Sequence, residues 1–427
     1  MDVLPNEVVL TIAEYTSSGD FVALRATCRQ LDGLLARRQW SHVNVYGSRI
    51  EAKRRSSVPG MVSWMDKKSG MALYCSNEDS ERMIKRYSQF VQSVVVWNLH
   101  DSYYELFGLW LTRYLHSPDV AIVGLLDDAL IDFLNIVGPM SRGISLDVDL
   151  TLDRCPLDLE IAAQNIFRLS VTTSLPFVDW APCLLKGIDP TALEILDFSC
   201  TAVRADELQH AFHRFTRLKS LRLTSIVKND DGVAWIPSTV RTLSMHPTHH
   251  QMRGPVAAEN GANVKNLTIN QALHAGFGEP SGLYRGYKFS SIIRLTVRDT
   301  TPETVKLLQT VTCLQSLDFQ DNDHVDVNKV LRNNAHSLKS LVIRNTTPST
   351  NFNCLQQLNF LLVDTLIPPP PPSTTAYIMN KPPTLLHHPS LYLVCTCATS
   401  IIDNEGHSHV THPQGTRLYQ ILNPTSP

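Results

Sequence analysis

The stretch Leu314-Gln315-Ser316-Leu317-Asp318-Phe319, followed by Leu338-Lys339-Ser340-Leu341-Val342-Ile343, decides the fold. In both, apolar residues hold the first, fourth and sixth positions, and the last two flank a residue that faces the other way. That alternation is a short strand with one buried face. The same spacing recurs upstream at Ile166/Leu169/Val171, Leu193/Leu196/Phe198 and Leu218/Leu221/Leu223. It continues at Val240/Leu243/Met245, Val264/Leu267/Ile269 and Ile292/Leu295/Val297. Weaker copies are Val91/Val94/Val96, Val120/Val123/Leu125, Leu146/Val148 and Leu358/Leu361/Val363. Successive copies lie roughly 22 to 29 residues apart. No single copy can bury its apolar face, so each depends on its neighbours.

Helical patterns fill the gaps. Asp206–Phe215 places Leu208, Phe212 and Phe215 at one-turn spacing, Thr301-Pro302 opens a segment with Val305, Leu308 and Val311, and Asp326–Asn334 carries Val327, Val330 and Leu331. The array resembles leucine-rich repeats. The resemblance implies an α/β solenoid over 91–365, of about eleven or twelve repeats, with parallel strands on a concave face and helices on the convex one. It also implies an inward-turned polar residue three places after each strand's last apolar position. Thr151, Ser174, Thr201, Thr248, Thr300, Asn322 and Thr346 stand there. A hydroxyl offers fewer bonds than an amide, so uneven curvature is expected.

Ahead of the array, Pro5 suits the first turn of a helix, and Val8, Val9, Ile12 and Ala13 share one of its faces. Asp20 is a good N-cap for a second helix lined by Phe21, Leu24 and Cys28; Leu31, Leu34 and Leu35 form a third, closed by Trp40. Some forty residues cannot complete a core alone, so part of this surface is expected to pack on another protein. The run Leu4-Pro5-x-Glu7-Val8, Ile12, Asp20, Leu24-Arg25, Cys28-Arg29 and Trp40 resembles an F-box over residues 1–45. It departs from that pattern in the polar loop Thr16–Gly19 and in Phe21, where leucine is commoner. The resemblance implies docking onto the Skp-type adaptor of a cullin–RING ubiquitin ligase, with Leu4, Pro5, Val8, Ile12, Leu24, Cys28 and Leu35 as the adaptor-binding positions. It implies a non-catalytic substrate receptor for ubiquitin-dependent degradation. A protein-interaction scaffold outside any ligase is the alternative.

Bulk properties limit the rest. The 427 residues carry a net charge of −2, without the basic excess of a nucleic-acid binder. No stretch approaches the ~20 apolar residues of a membrane span, and no apolar signal core opens the chain. Nine cysteines without paired spacing point to reduced thiols in the cytoplasm or nucleus, with Cys28, Cys183, Cys200, Cys313 and Cys354 expected to be buried. Residues 46–90 read as a junction holding two basic clusters, Lys53-Arg54-Arg55 and Lys67-Lys68, and a helix over Glu81–Phe90. Eleven of the 25 prolines fall in 368–427, five of them consecutive at 368–372, so a largely disordered tail is expected over 366–427.

No phosphate loop, nucleophile elbow or zinc-protease motif is present. Cys395, Cys397, His407, His409 and His412 match no established zinc spacing, so neither metal nor cofactor is expected. Residues flanking the buried leucines are the candidate partner-binding positions. Arg222, Arg294, Arg298 and Arg344 stand out among them and suit carboxylate or phosphate groups on an unknown protein client.

Overall fold

The structure is a computed structural model. It describes residues 29–48, 71–150, 165–228, 237–245, 263–269, 291–298, 307–320, 325–344, 350–363, 376–379, 392–395, 400–402 and 408–410. The chain is α/β, built on parallel strands with intervening helices, and divides into two compact units, Met1–Thr201 and Ala202–Pro427.

The first unit opens with helix α1 (Arg29–Trp40), followed by strands β1 (His42–Tyr46) and β2 (Met71–Tyr74), helix α2 (Glu78–Tyr87) and strand β3 (Ser93–Trp97). Next come α3 (Asp101–Tyr114), β4 (Asp119–Leu125), α4 (Asp128–Val137), β5 (Gly143–Leu150), β6 (Ile166–Thr173), α5 (Phe177–Lys186) and β7 (Ile195–Arg204). Strand β1 pairs in parallel with both β2 and β3, and the parallel ladder runs on through β4, β5, β6 and β7. Strand β1 lies almost wholly within the segment expected at 1–45 and β2 within the junction expected at 46–90, and both belong to the sheet. The stretch between β1 and β2 carries the basic clusters Lys53-Arg54-Arg55 and Lys67-Lys68, which is why the sequence reads there as a linker.

Capping explains where the helices begin. Asp127 accepts from Leu130 N at 2.9 Å at the start of α4, and Asn77 accepts from Asp79 N at 3.0 Å at the start of α2. Buried Leu130, Leu134 and Val137 then fall on one face of α4. Between helices and sheet the core is aromatic. Phe133 lies 5.1 Å from Tyr104 and 6.1 Å from Phe107, centroid to centroid, and Phe177 and Trp180 pack on Phe198 at 5.2 and 6.0 Å.

One of the weaker copies has a different phase from the expected one. In β4 the buried positions are Val120, Ile122 and Gly124, so Val123 and Leu125 face the other side. The strand is apolar on both faces, and period-two alternation cannot then choose between them.

The second unit holds α6 (Ala205–Phe212), β8 (Ser220–Lys228), β9 (Thr242–Met245), β10 (Asn266–Ile269), β11 (Arg294–Val297), β12 (Ser316–Gln320), α7 (Val327–Asn333), β13 (Ser340–Arg344) and β14 (Phe360–Val363). Strands β8 to β14 pair in parallel, each with the next. One device marks the entry into each strand from β9 to β14: a single carbonyl accepts from two successive amides of the following strand. Lys219 O takes Arg241 N and Thr242 N, Ile293 O takes Gln315 N and Ser316 N, and Lys339 O takes Asn359 N and Phe360 N, all between 2.8 and 3.1 Å. That recurrence is the repeat expressed in the backbone.

Helix α7 lies where the sequence places it, and Asp326 caps it by accepting from Lys329 N at 3.0 Å. Helix α6 stops at Phe212, with Phe215 buried just beyond it, and the third expected helix is described at 307–310. Beyond β14, strands β15 (Ala376–Met379) and β16 (Tyr392–Cys395) continue the parallel ladder, and β17 (Ser400–Ile402) and β18 (Ser408–Val410) join it antiparallel. The largely disordered tail expected over 366–427 thus holds four short strands among its described residues. The prolines fall between these strands and never within them, where a missing N–H would break a ladder bond.

Two residue-level expectations also change. Ser174 is exposed; its neighbour Thr173 makes the bridge instead, donating to Leu150 O at 3.0 Å and accepting from Leu175 N at 3.0 Å. Cys200 is buried, but Cys313 is exposed and Cys354 half-buried. Cys313 has a φ of 68°, a left-handed turn that swings its side chain off the regular strand approach. Among the described residues no helix is long and apolar enough to cross a membrane.

Candidate functional site

Leu4, Pro5, Val8, Ile12, Leu24 and Cys28 lie outside the described residues, as does Glu7. Only the third expected helix, α1, is described. Its Leu35 and Trp40 are fully buried within the chain, and the Trp40 ring stacks on Tyr87 of α2 at 4.6 Å with 16° between planes. Leu35 is therefore corrected from adaptor contact to core residue. Leu35, Ala36 and Trp40 are the residues of this helix described as buried within the chain.

The four candidate arginines belong to the second unit. On β8 to β14 the leucines are buried and the alternate residues form the opposite, open face. Register places Arg222 of β8 opposite Ser244 of β9, Arg294 of β11 between Asn266 and Ser316, and Arg344 of β13 opposite Gln320. Arg294 and Arg298 both come from the β11 chain, four residues apart, so about 13 Å separates them at the rise of a strand. Arg222 stands three strands from β11, about 14 Å across the ladder. The arginines spread over the face and do not converge on one ligand. Arg298 is engaged already, its guanidinium 3.3 Å from the Asp318 carboxylate. Around them lie hydroxyl and amide groups, and Asn266 Nδ2 donates to Thr242 Oγ1 at 3.2 Å. Among the described residues this face of the strands is polar.

A second face, in the first unit, has a sharper organisation. The strands β1, β2 and β3 end on Tyr46, Tyr74 and Trp97, and register aligns the three: Tyr46 sits between Tyr74 and Trp97. Ring centroids are 6.0 and 6.1 Å apart, and Trp97 Nε1 donates to Asn44 Oδ1 at 3.3 Å. The same row continues from Trp97 to Val123, then Asp147, Ser170 and Asp197. An aromatic half thus runs into an acidic half. At the opposite end of β4, Asp119 is occupied by Arg142, whose Nε donates to it at 2.8 Å and whose guanidinium pKa is raised by that hydrogen bond and the carboxylate's charge. Sequence reading places Asp197 on this face but misses Tyr46, Tyr74, Trp97 and Asp147. The available signal is the aromatic residue closing each of three short alternating runs, HVNVY, MALY and SVVVW.

Among the described residues no group of three or more His, Cys, Asp or Glu side chains is placed to hold a metal ion. No family model and no curated protein matches the chain.

Proposed function

We propose that the chain is a substrate-recognition subunit of a Skp-adaptor/cullin/F-box ubiquitin ligase, acting in the cytoplasm or nucleus. The observation that carries the reading is the N-terminal run Leu4-Pro5-x-Glu7-Val8, Ile12, Leu24-Arg25, Cys28-Arg29, set ahead of an array of parallel strands. Adaptor docking then rests on Leu4, Pro5, Val8, Ile12, Leu24 and Cys28, with Leu35 supporting α1 from inside. The array, as leucine-rich repeats, presents a client protein. The subunit performs no chemistry; it holds the client beside the ubiquitin-loaded enzyme and raises its effective concentration there.

The client face includes Arg222, Arg294, Arg298 and Arg344, suited to acidic or phosphorylated groups. A second reading, a scaffold outside any ligase, is favoured by one observation: Leu35 and Trp40 complete the chain's own core.

Affinity purification from cells separates the two readings. The ligase reading expects adaptor and cullin together, both released by Leu4→Ala with Pro5→Ala. Adaptor without cullin selects the scaffold, and recovery of neither overturns the F-box assignment. The triple change Arg294→Ala, Arg298→Ala and Arg344→Ala is expected to abolish recovery of an acidic or phosphorylated client. Unchanged recovery removes the arginines from that role.

A further inference from the structure

The aromatic–acidic row of the first unit has a chemistry opposite to that of the arginine face. Its carboxylates Asp147 and Asp197 stand two strands apart, with Ser170 between them. That spacing is about 10 Å between backbones, and among the described residues no group of three or more His, Cys, Asp or Glu side chains is placed to hold a metal ion. The spacing does match a chain crossing the strands in extended form, whose same-side residues recur every ~7 Å and whose lysine or arginine stems take up the difference. Asp149 adds a third carboxylate two residues along β5, and Arg168 of β6 lies on the same side among the described residues; Asp149, Asp197 and Arg168 each have interactions within the chain.

An independent observation points to a ligand here. Ser145 lies on the Asp147 face of β5, is 2 % exposed, and its hydroxyl has no hydrogen-bond partner among the described residues. Buried hydroxyls are normally satisfied. Ser145 stands about 7 Å from Asp147 on the same side of the strand. At the other end of the row, half-buried Tyr46 and Tyr74 offer stacked rings for an apolar or aromatic side chain.

We propose that this face binds an extended segment of a partner protein that carries lysine or arginine beside an apolar residue. The cations meet Asp147 and Asp197, and the apolar side chain rests on Tyr46 and Tyr74. Nucleic acid and anionic membrane are disfavoured by charge. A second copy of this chain carries arginines of its own, and self-association is therefore measured alongside peptide binding. The proposal rests on reading the array as a partner-binding platform, and it is independent of ubiquitin-ligase membership.

Fluorescence anisotropy of the full chain tests it, with a labelled dodecapeptide of alternating lysine and alanine carrying one central leucine. The expected result is saturable binding that weakens with added salt and is lost when every lysine is acetylated. Asp147→Asn with Asp197→Asn should weaken binding at least tenfold, and Asp147→Glu with Asp197→Glu should retain it. Equal binding of the acetylated peptide overturns the proposal without requiring any variant to fold. So does equal binding by a double Asn variant of unchanged thermal midpoint, or self-association that this variant abolishes. Adaptor capture, measured separately, is unaffected by any of these outcomes.

Discussion

Asn334 is the polar residue on which the second unit most depends. It is 1 % exposed, accepts from Leu314 N at 2.9 Å, and donates to Val311 O at 3.1 Å and Val330 O at 2.9 Å. One side chain thus ties the end of α7 to the approach of β12. Asn334→Ala strands a buried amide and a buried carbonyl, so a loss of about 2–4 kcal/mol is expected in chemical denaturation. Sequence periodicity does not find this residue, because the family expectation looks for the polar position just after each strand. Asn334 follows a helix, and Thr173 lies one place off the expected position. A hydroxyl's short reach decides by local geometry which of two neighbours makes the bridge. Tyr114 gives a pH-dependent counterpart. Its hydroxyl donates to Glu81 Oε1 at 2.9 Å; that bond, then desolvation, then the Glu81 charge raise the phenol's pKa. The folded state therefore prefers the protonated phenol. Its contribution is complete below the unfolded value of about 10 and is lost as pH rises through the higher folded value. As pH rises above about 10, the wild type should lose more of its thermal midpoint than Tyr114→Phe does.

Elements with a clean alternation or a clear cap are legible in the sequence alone. Strands β10 to β13 and helix α7 follow directly from the positions of Leu267, Leu295, Leu317, Leu341 and Asp326. Elements without such a signal are not: β1 and β2 flank a polar, basic stretch, and β15 and β16 are hidden by the prolines around them. Helix α5 shows a conflict within one element. Pro182 lies inside Phe177–Lys186, where it removes the hydrogen bond to Val178 O and presses on that turn. Its ring is exposed, so packing gains little from it, while Trp180, Leu184 and Leu185 hold the helix in place from the buried side. Restoring the N–H should help: Pro182→Ala is expected to raise stability by about 1–3 kcal/mol, read from a shifted denaturation midpoint at constant slope. A lowered midpoint means that the proline's fixed φ outweighs the missing bond.

At the scale of the molecule, the sequence reveals which residues share a face but not which of them meet. Arg222, Arg294, Arg298 and Arg344 share one, yet strand rise and ladder spacing set them apart. Tyr46, Tyr74, Trp97 and Asp147 come from stretches with weak repeats or none, and register alone puts them in one row. The same nearest-neighbour construction governs how the chain opens. Leu317 is 1 % exposed in β12, which is held between β11 on one side and β13 on the other. Leu317→Ala should cost about 2–4 kcal/mol through lost transfer energy and a residual cavity. In a repeat array that loss falls first on the strands in contact, because stability is close to a sum of local terms and interfaces between neighbours. Hydrogen exchange followed by mass spectrometry should show faster exchange in peptides covering Arg294–Val297 and Ser340–Arg344, with Ser93–Trp97 and Asp119–Leu125 unchanged. Equal acceleration in all four segments would mean that the chain opens as one cooperative body, against the neighbour-by-neighbour coupling that the repeated strand entries imply.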